Sequence, residues 1–212
     1  MSANKMQRRL RVSSGMVVLG LLIEQVTGNS YEQELRTRVI DPLDLTDTTL
    51  ATDFDFPDPH AQGYQFDPED DSADPEDVTD VPIDPNGAWA SGALISTPAD
   101  MATFFEALLS GELVPTAQLA EMMQTRPGAG SPPGPGTNSA GLGIFRWEVS
   151  CGEIWGHTGS FPGFRALGAA TEDGSGAIGM VVNATELPEE AEQAVLRAQE
   201  LAACYALDEP VE

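Results

Sequence analysis

Few residues of this sequence have types and spacing suited to chemistry, and they fall into three groups. Cys151 and Cys204 lie far apart and match no metal-site pattern such as Cys-x-x-Cys, which leaves two thiols or one disulfide. The disulfide is the reading taken. It would close a loop of roughly fifty residues and, on the loop-entropy model, contribute on the order of 4 kcal/mol in an oxidising compartment. The run Asp67-Pro68-Glu69-Asp70-Asp71 gathers carboxylates but lacks the alternating ligands and central glycine of a calcium loop, so it reads as a solvated acidic loop. No metal or other cofactor is expected. The third group is His157-Thr158-Gly159-Ser160, which stands between a strand-like run and a turn. Residue type alone allows a structural histidine at a strand end or a group that meets a ligand.

Stepping outward, the 212 residues suffice for one domain with a real core. Ten Lys and Arg against thirty-four Asp and Glu give a net charge of −24, which repels phosphate backbones and anionic lipid, so no nucleic-acid partner is expected. Lys5 is the only lysine, a Lys-poor and Asp-rich balance that suits a GC-rich genome or a high-salt habitat. Lys5, Arg8, Arg9 and Arg11 ahead of Met16–Ile23 resemble the start of a secretory signal. The apolar run nevertheless stops at Glu24 without a small-residue cleavage site and is too short to span a bilayer. It is read as an amphipathic helix, with no membrane span and no signal peptide.

The spacing of Met16, Leu19, Ile23 and Val26 predicts a helix from Ser13 to Thr27, stopped at Gly28. Ser30 and Gln33 form a capping box that opens a second helix at Tyr31, running to about Val39 with Leu35 and Val39 facing the core. Residues 53–86 are rich in Asp and Pro and are expected to form a long acidic loop. Thr97-Pro98-Ala99-Asp100 begins a third helix ending near Gly111, and a fourth starts near Thr116. Residues 127–139 read as a flexible connector. Strands are expected over 143–150, 153–157, 164–171 and 177–183, antiparallel, with a closing helix from Pro188 to about Tyr205 that packs its Ala194, Val195, Leu201 and Ala202 side on the sheet. The division is therefore an N-terminal tail at 1–12, a helical portion at 13–126, the connector at 127–139, and a sheet with its helix at 140–206.

Four stretches in this order resemble the serine β-lactamase and D-alanyl-D-alanine carboxypeptidase superfamily, of the class C kind. They are Leu19-Gly20-Leu21-Leu22-Ile23-Glu24-Gln25-Val26-Thr27-Gly28 continuing to Ile40-Asp41-Pro42-Leu43-Asp44-Leu45-Thr46-Asp47-Thr48; His60-Ala61-Gln62-Gly63-Tyr64; Gly87-Ala88-Trp89-Ala90-Ser91-Gly92-Ala93-Leu94-Ile95-Ser96-Thr97; and Gly156-His157-Thr158-Gly159-Ser160-Phe161-Pro162-Gly163-Phe164. The nearest branch is that of secreted carboxypeptidases with His-Thr-Gly where relatives have Lys-Thr-Gly. These resemble the chain also in a cysteine pair at the places of Cys151 and Cys204.

The resemblance implies acyl transfer by a serine nucleophile with a nearby base, an oxyanion hole and a grip on the substrate carboxylate. It implies that His157 adds donor or positive character near that carboxylate, that Thr158 hydrogen-bonds it, that Gly159 lets substrate backbone approach the strand, and that the Ser160 N–H forms half of the oxyanion hole. It further places Trp89 beside the cleft and Arg146 toward the substrate carboxylate. The family's Tyr-x-Asn falls on Arg11-Val12-Ser13, and an arginine stays protonated and cannot shuttle a proton at neutral pH. Ser2-Ala3-Asn4-Lys5 satisfies Ser-x-x-Lys in form only, since the family has a long helical stretch between its first two motifs where this chain has Met6–Leu10.

The expected fold is thus α+β and β-lactamase/transpeptidase-like, incomplete, with part of a helical subdomain followed by an antiparallel sheet and a C-terminal helix. The expected function is that of a serine-type acyl hydrolase present as a truncated chain without its nucleophile motif and inactive alone. Its partners would be a peptidoglycan stem peptide or a β-lactam-like small molecule. The alternative is a non-catalytic module that binds a peptide carboxylate. The strand at 177–183 would be an unprotected edge that promotes self-association, and the resemblance with the disulfide implies an extracytoplasmic location.

Overall fold

A computed structural model describes residues 3–51, 56–70, 73–79, 88–126 and 134–209, with the backbone alone for residues 3–13. The chain divides into two compact units, Met1–His60 with Pro82–Ser96 and Ala61–Val81 with Thr97–Glu212. Elements are numbered in chain order.

In the first unit the helix α1 spans Ala3–Thr27, so the backbone expected as a tail is helical from residue 3. It ends as foreseen at Gly28, whose φ of 77° suits a residue without a Cβ. The buried line along α1 differs from the one the apolar spacing predicts. It passes through Gly20, where an added Cβ would come within 2.7 Å of Ala90 and 3.0 Å of the Trp89 ring, while Leu19 and Val26 are exposed. A glycine carries no hydrophobic signal, yet it lets two backbones approach. The helix α2, Tyr31–Leu35, opens with the Ser30 hydroxyl accepting from the Gln33 N–H at 3.2 Å and passes into a π-helical turn at Arg36–Ile40. Strands β1 (Thr49–Leu50) and β4 (Leu94–Ile95) pair antiparallel, and Leu50, Ala51 and Ala93 form a small core with Tyr31, Leu35 and Trp89 around it.

The second unit is built on a five-stranded antiparallel sheet of order β5-β6-β7-β8-β9, comprising Thr137–Ala140, Phe145–Val149, Gly152–Phe161, Phe164–Ala170 and Ala177–Val182. The strand β5 overlaps the end of the stretch expected as connector: its Thr137–Ala140 pair with Phe145–Glu148, and of the rest of that stretch 127–133 lie outside the described residues. Helix α3 (Pro98–Leu109) packs on one face of the sheet and helix α5 (Glu189–Ala206) on the other. Period-two alternation assigns the side chains: Trp155 and Ala170 join Phe105, Leu108 and Leu109, whereas Ile154, Leu167 and Ala169 join Trp147 and Ala203. Glycines set how near α3 can come. A Cβ on Gly168 would lie 2.4 Å from the Phe105 ring, and one on Gly179 would lie 1.8 Å from the Pro98 carbonyl oxygen. Helix α4 (Thr116–Met122) adds Leu119 to the same core.

On α5 the buried residues are Gln199, Ala203 and Cys204, with Ala202 and Ala206 against the core, while Leu201 is exposed and Ala194 lies outside the contact. The small residues win this face because the disulfide between Cys151 and Cys204 ties the helix closely to the β6–β7 turn. The acidic segment is also more ordered than a solvated loop. Its strands β2 (Tyr64–Gln65) and β3 (Glu76–Asp77) join β10 (Ala184–Thr185) in a small sheet at the tip of the β7–β8 hairpin. There the Val78 N–H donates to the Gly63 carbonyl at 2.9 Å, and Gly163 fits against Gly63 and Val78 with no room for a Cβ. The calcium reading had already failed on spacing; part of that acidic run, from Asp71, lies outside the described residues.

Candidate functional site

The strand β7 extends past His157 to Phe161, so the whole run His157-Thr158-Gly159-Ser160 is strand rather than turn. Sequence alone ended the strand early because Gly156 and Gly159 weaken any propensity signal. The neighbour β6 accompanies β7 only as far as the Phe145↔Gly156 pair. From His157 to Phe161 the described partners lie on β8 alone, Gly168 back to Phe164. Among the described residues the other edge of β7 beyond Gly156 is thus unpaired, and its backbone N–H and C=O groups are placed to pair with an extended ligand.

The two glycines of the run differ in their surroundings. A Cβ on Gly156 would lie 2.0 Å from the Gly168 carbonyl oxygen, so internal packing demands glycine there. A Cβ on Gly159 would meet nothing nearer than the Ala166 Cβ at 3.7 Å, an ordinary contact, and Gly159 is exposed. Packing among the described residues therefore does not require glycine at 159, and the missing side chain leaves the backbone there accessible.

Around it, His157 and Ser160 are exposed, and the His157 ring stands edge-on to Phe145 with centroids 5.0 Å apart. Its Nδ1 lies 2.6 Å from the Thr158 carbonyl oxygen. The Thr158 hydroxyl oxygen is buried and has no hydrogen-bond partner among the described residues. Leaving such a group unsatisfied costs about 1–3 kcal/mol, which a ligand acceptor or donor would relieve.

Arg146 sits on β6 opposite Trp155, two residues from His157 along the same face. Its guanidinium is already engaged by Glu148 at 2.9 Å and Glu153 at 3.2 Å. Arg165 on β8 is likewise held by both carboxylate oxygens of Glu192 on α5. Trp89 belongs to the first unit. It begins a short 3-10 turn at a φ of 32°, a value bulky residues rarely adopt, and its ring meets Tyr31 edge-on at 5.3 Å. The bridge expected between Cys151 and Cys204 is present. Ser2 lies outside the described residues, and for Lys5, Arg11, Val12 and Ser13 only the helical backbone is described.

Sequence reasoning missed Phe145, whose contact with His157 depends on where β6 stops, and the acidic neighbours of the hairpin tip. Asp77 accepts from the Thr79 hydroxyl at 2.6 Å and from the Thr79 N–H at 3.0 Å, and these bonds hold its carboxyl below the usual range, hence ionised.

A family model described as Beta-lactamase matches residues 13–203. Among solved structures, a D-stereospecific amidohydrolase from a Streptomyces species is 34% identical with a TM-score of 0.73, over 88% of this chain and 53% of that one. The D-amino acid amidase of Ochrobactrum anthropi SV3, solved with D-phenylalanine, is 28% identical with a TM-score of 0.73, over 89% and 57%. An octameric penicillin-binding protein homologue from Pyrococcus abyssi shares the fold at 20% identity and a TM-score of 0.68, over 93% and 42%. The chain spans about half the length of these relatives.

Proposed function

The chain belongs to the β-lactamase family, and on that premise we propose that it carries the substrate-facing wall of a serine-type acyl hydrolase acting on amide bonds of D-amino-acid compounds. The observation that carries this reading is the open edge of β7 with an exposed glycine that the fold itself does not require. An acyl substrate laid along that edge would be gripped by backbone hydrogen bonds, with the Ser160 N–H as one oxyanion donor and the Thr158 hydroxyl as a buried partner. A D-Ala-D-Ala stem peptide and a β-lactam are further members of the same amide class. The wall needs a nucleophile and a base, and the formal Ser2–Lys5 pairing is a poor source for them, so these 212 residues by themselves are assigned no turnover. The disulfide favours an oxidising compartment, and none of the described helices is long and apolar enough to cross a membrane.

The test is backbone NMR of the 212-residue protein titrated with D-phenylalanine amide. Shifts concentrated on His157–Phe161 are expected; shifts absent from β7 sink the assignment. Intact mass after incubation with benzylpenicillin should show no adduct, and an adduct on any serine would place a working nucleophile within this chain.

A further inference from the structure

We infer that His157 determines which terminal group the substrate carries: it presents the lone pair of Nε2 as a hydrogen-bond acceptor and so selects a donor, such as a carboxamide, over a carboxylate. This rests on the ligand edge proposed for β7 and names the substrate class of that edge. The imidazole Nδ1 lies 2.6 Å from the Thr158 carbonyl oxygen. A carbonyl oxygen only accepts, so the Nδ1 must hold the proton that joins them. A neutral imidazole has a single N–H, which leaves Nε2 as a bare acceptor. The ring is kept in this pose by the edge of Phe145 on one side and is otherwise exposed.

A carboxylate is acceptor-only and meets that lone pair with repulsion, whereas a carboxamide or amine donates to it. The charges of the same unit point the same way. Arg146, the guanidinium on the His157 face, is countered by both Glu148 and Glu153. The small sheet at the hairpin tip brings Glu76 and the ionised Asp77, and the whole chain carries a net charge of −24. A carboxylate approaching this edge is opposed by the field of the protein as well as by the ring. This inference differs from the expectation that the resemblance carries, a histidine that grips a carboxylate.

The experiment uses the 212-residue protein with His60→Gln, which leaves His157 as the only histidine, at about pH 8, and reads both of its ring nitrogens directly. Long-range nitrogen–proton correlation should show Nδ1 protonated and Nε2 pyridine-like; the opposite tautomer overturns the inference. Titration with D-phenylalanine amide should move Nε2 and give binding about five- to tenfold tighter than D-phenylalanine, the equivalent of roughly one hydrogen bond. His157→Ala should erase that preference. Equal or tighter binding of D-phenylalanine overturns the selectivity while leaving the ligand edge intact, and failure of both ligands to shift β7 overturns the edge itself.

Discussion

Two alanine substitutions three residues apart should have opposite consequences. At Gly156 a methyl group would sit 2.0 Å from the Gly168 carbonyl oxygen and 2.6 Å from the Ala169 Cα, both backbone atoms of β8 that can yield only by parting the strands. Overpacking of that kind costs about 1–3 kcal/mol, and the strand separation it forces places Gly156→Ala at the upper end of that range. At Gly159 the methyl group meets only the Ala166 Cβ, at 3.7 Å, and the backbone there has no left-handed φ to relax. Gly159→Ala should therefore stabilise the protein by about 0.4–1 kcal/mol, by restricting the unfolded chain. It should also weaken D-phenylalanine amide binding about tenfold or more, since the methyl group stands where the ligand backbone would lie; a tenfold loss corresponds to about 1.4 kcal/mol. Urea denaturation measures the first quantity and NMR titration the second. Destabilisation of Gly159→Ala by more than about 1 kcal/mol would show that the fold needs this glycine after all, and unchanged binding would remove the ligand from the argument.

Three further outcomes follow from other parts of the molecule. The Cys151–Cys204 bridge spans a sequence separation of 53, for which the loop-entropy relation gives about 4 kcal/mol, so Cys151→Ser with Cys204→Ala should lower urea stability by that order, and a loss under about 1 kcal/mol would contradict the estimate. Asp173 accepts from the Ser175 N–H at 3.0 Å and the Thr171 hydroxyl at 2.8 Å, which holds its carboxyl at about 2. Its contribution is present above the ordinary carboxyl range and lost as pH falls toward about 2, so Asp173→Asn should flatten the acid loss of stability between about pH 4 and 2, measured by circular dichroism, and an unchanged acid limb would count against it. Strand β9, Ala177-Ile178-Gly179-Met180-Val181-Val182, is an end strand of the described sheet and has neither charge nor proline. Val181→Lys, at a 40% exposed position, should raise the monomer fraction in sedimentation, and no change would acquit this edge of self-association.

Much of the architecture was legible because the punctuation was strong. Ser30 with Gln33, Thr97 with Pro98, and Gly28 and Gly111 with their positive φ values all bounded helices where local chemistry dictates. What escaped was whatever depended on close backbone approach. Gly20 set the buried line of α1, Gly168 and Gly179 set the seat of α3, and on α5, where Ala202 was foreseen, Ala203 and Ala206 rather than Leu201 join it against the sheet. Hydrophobic periodicity does not register such contacts, since the residues that make them are the ones with least side chain. The strand at Thr137–Ala140 was hidden for another reason: it pairs with β6 in a local hairpin, but its sequence Thr-Asn-Ser-Ala has little strand character of its own and it follows a run of Gly and Pro. At the site the sequence singled out the residues at the far end of β7 but did not register what surrounds them: the Glu148 and Glu153 partners of Arg146 and the 2.6 Å approach of the His157 Nδ1 to the Thr158 carbonyl oxygen follow from strand pairing and side-chain pose.

The proposal that this chain supplies the acyl-substrate wall is tested most directly by transplanting residues 13–203 in place of the matching portion of the Streptomyces D-stereospecific amidohydrolase, 34% identical to this chain, and assaying the chimera on the host enzyme's own substrate. The account predicts turnover that survives the exchange and is abolished by Gly159→Val without loss of the cooperative unfolding transition. A chimera that folds cooperatively yet turns over nothing, or one indifferent to Gly159→Val, would contradict it.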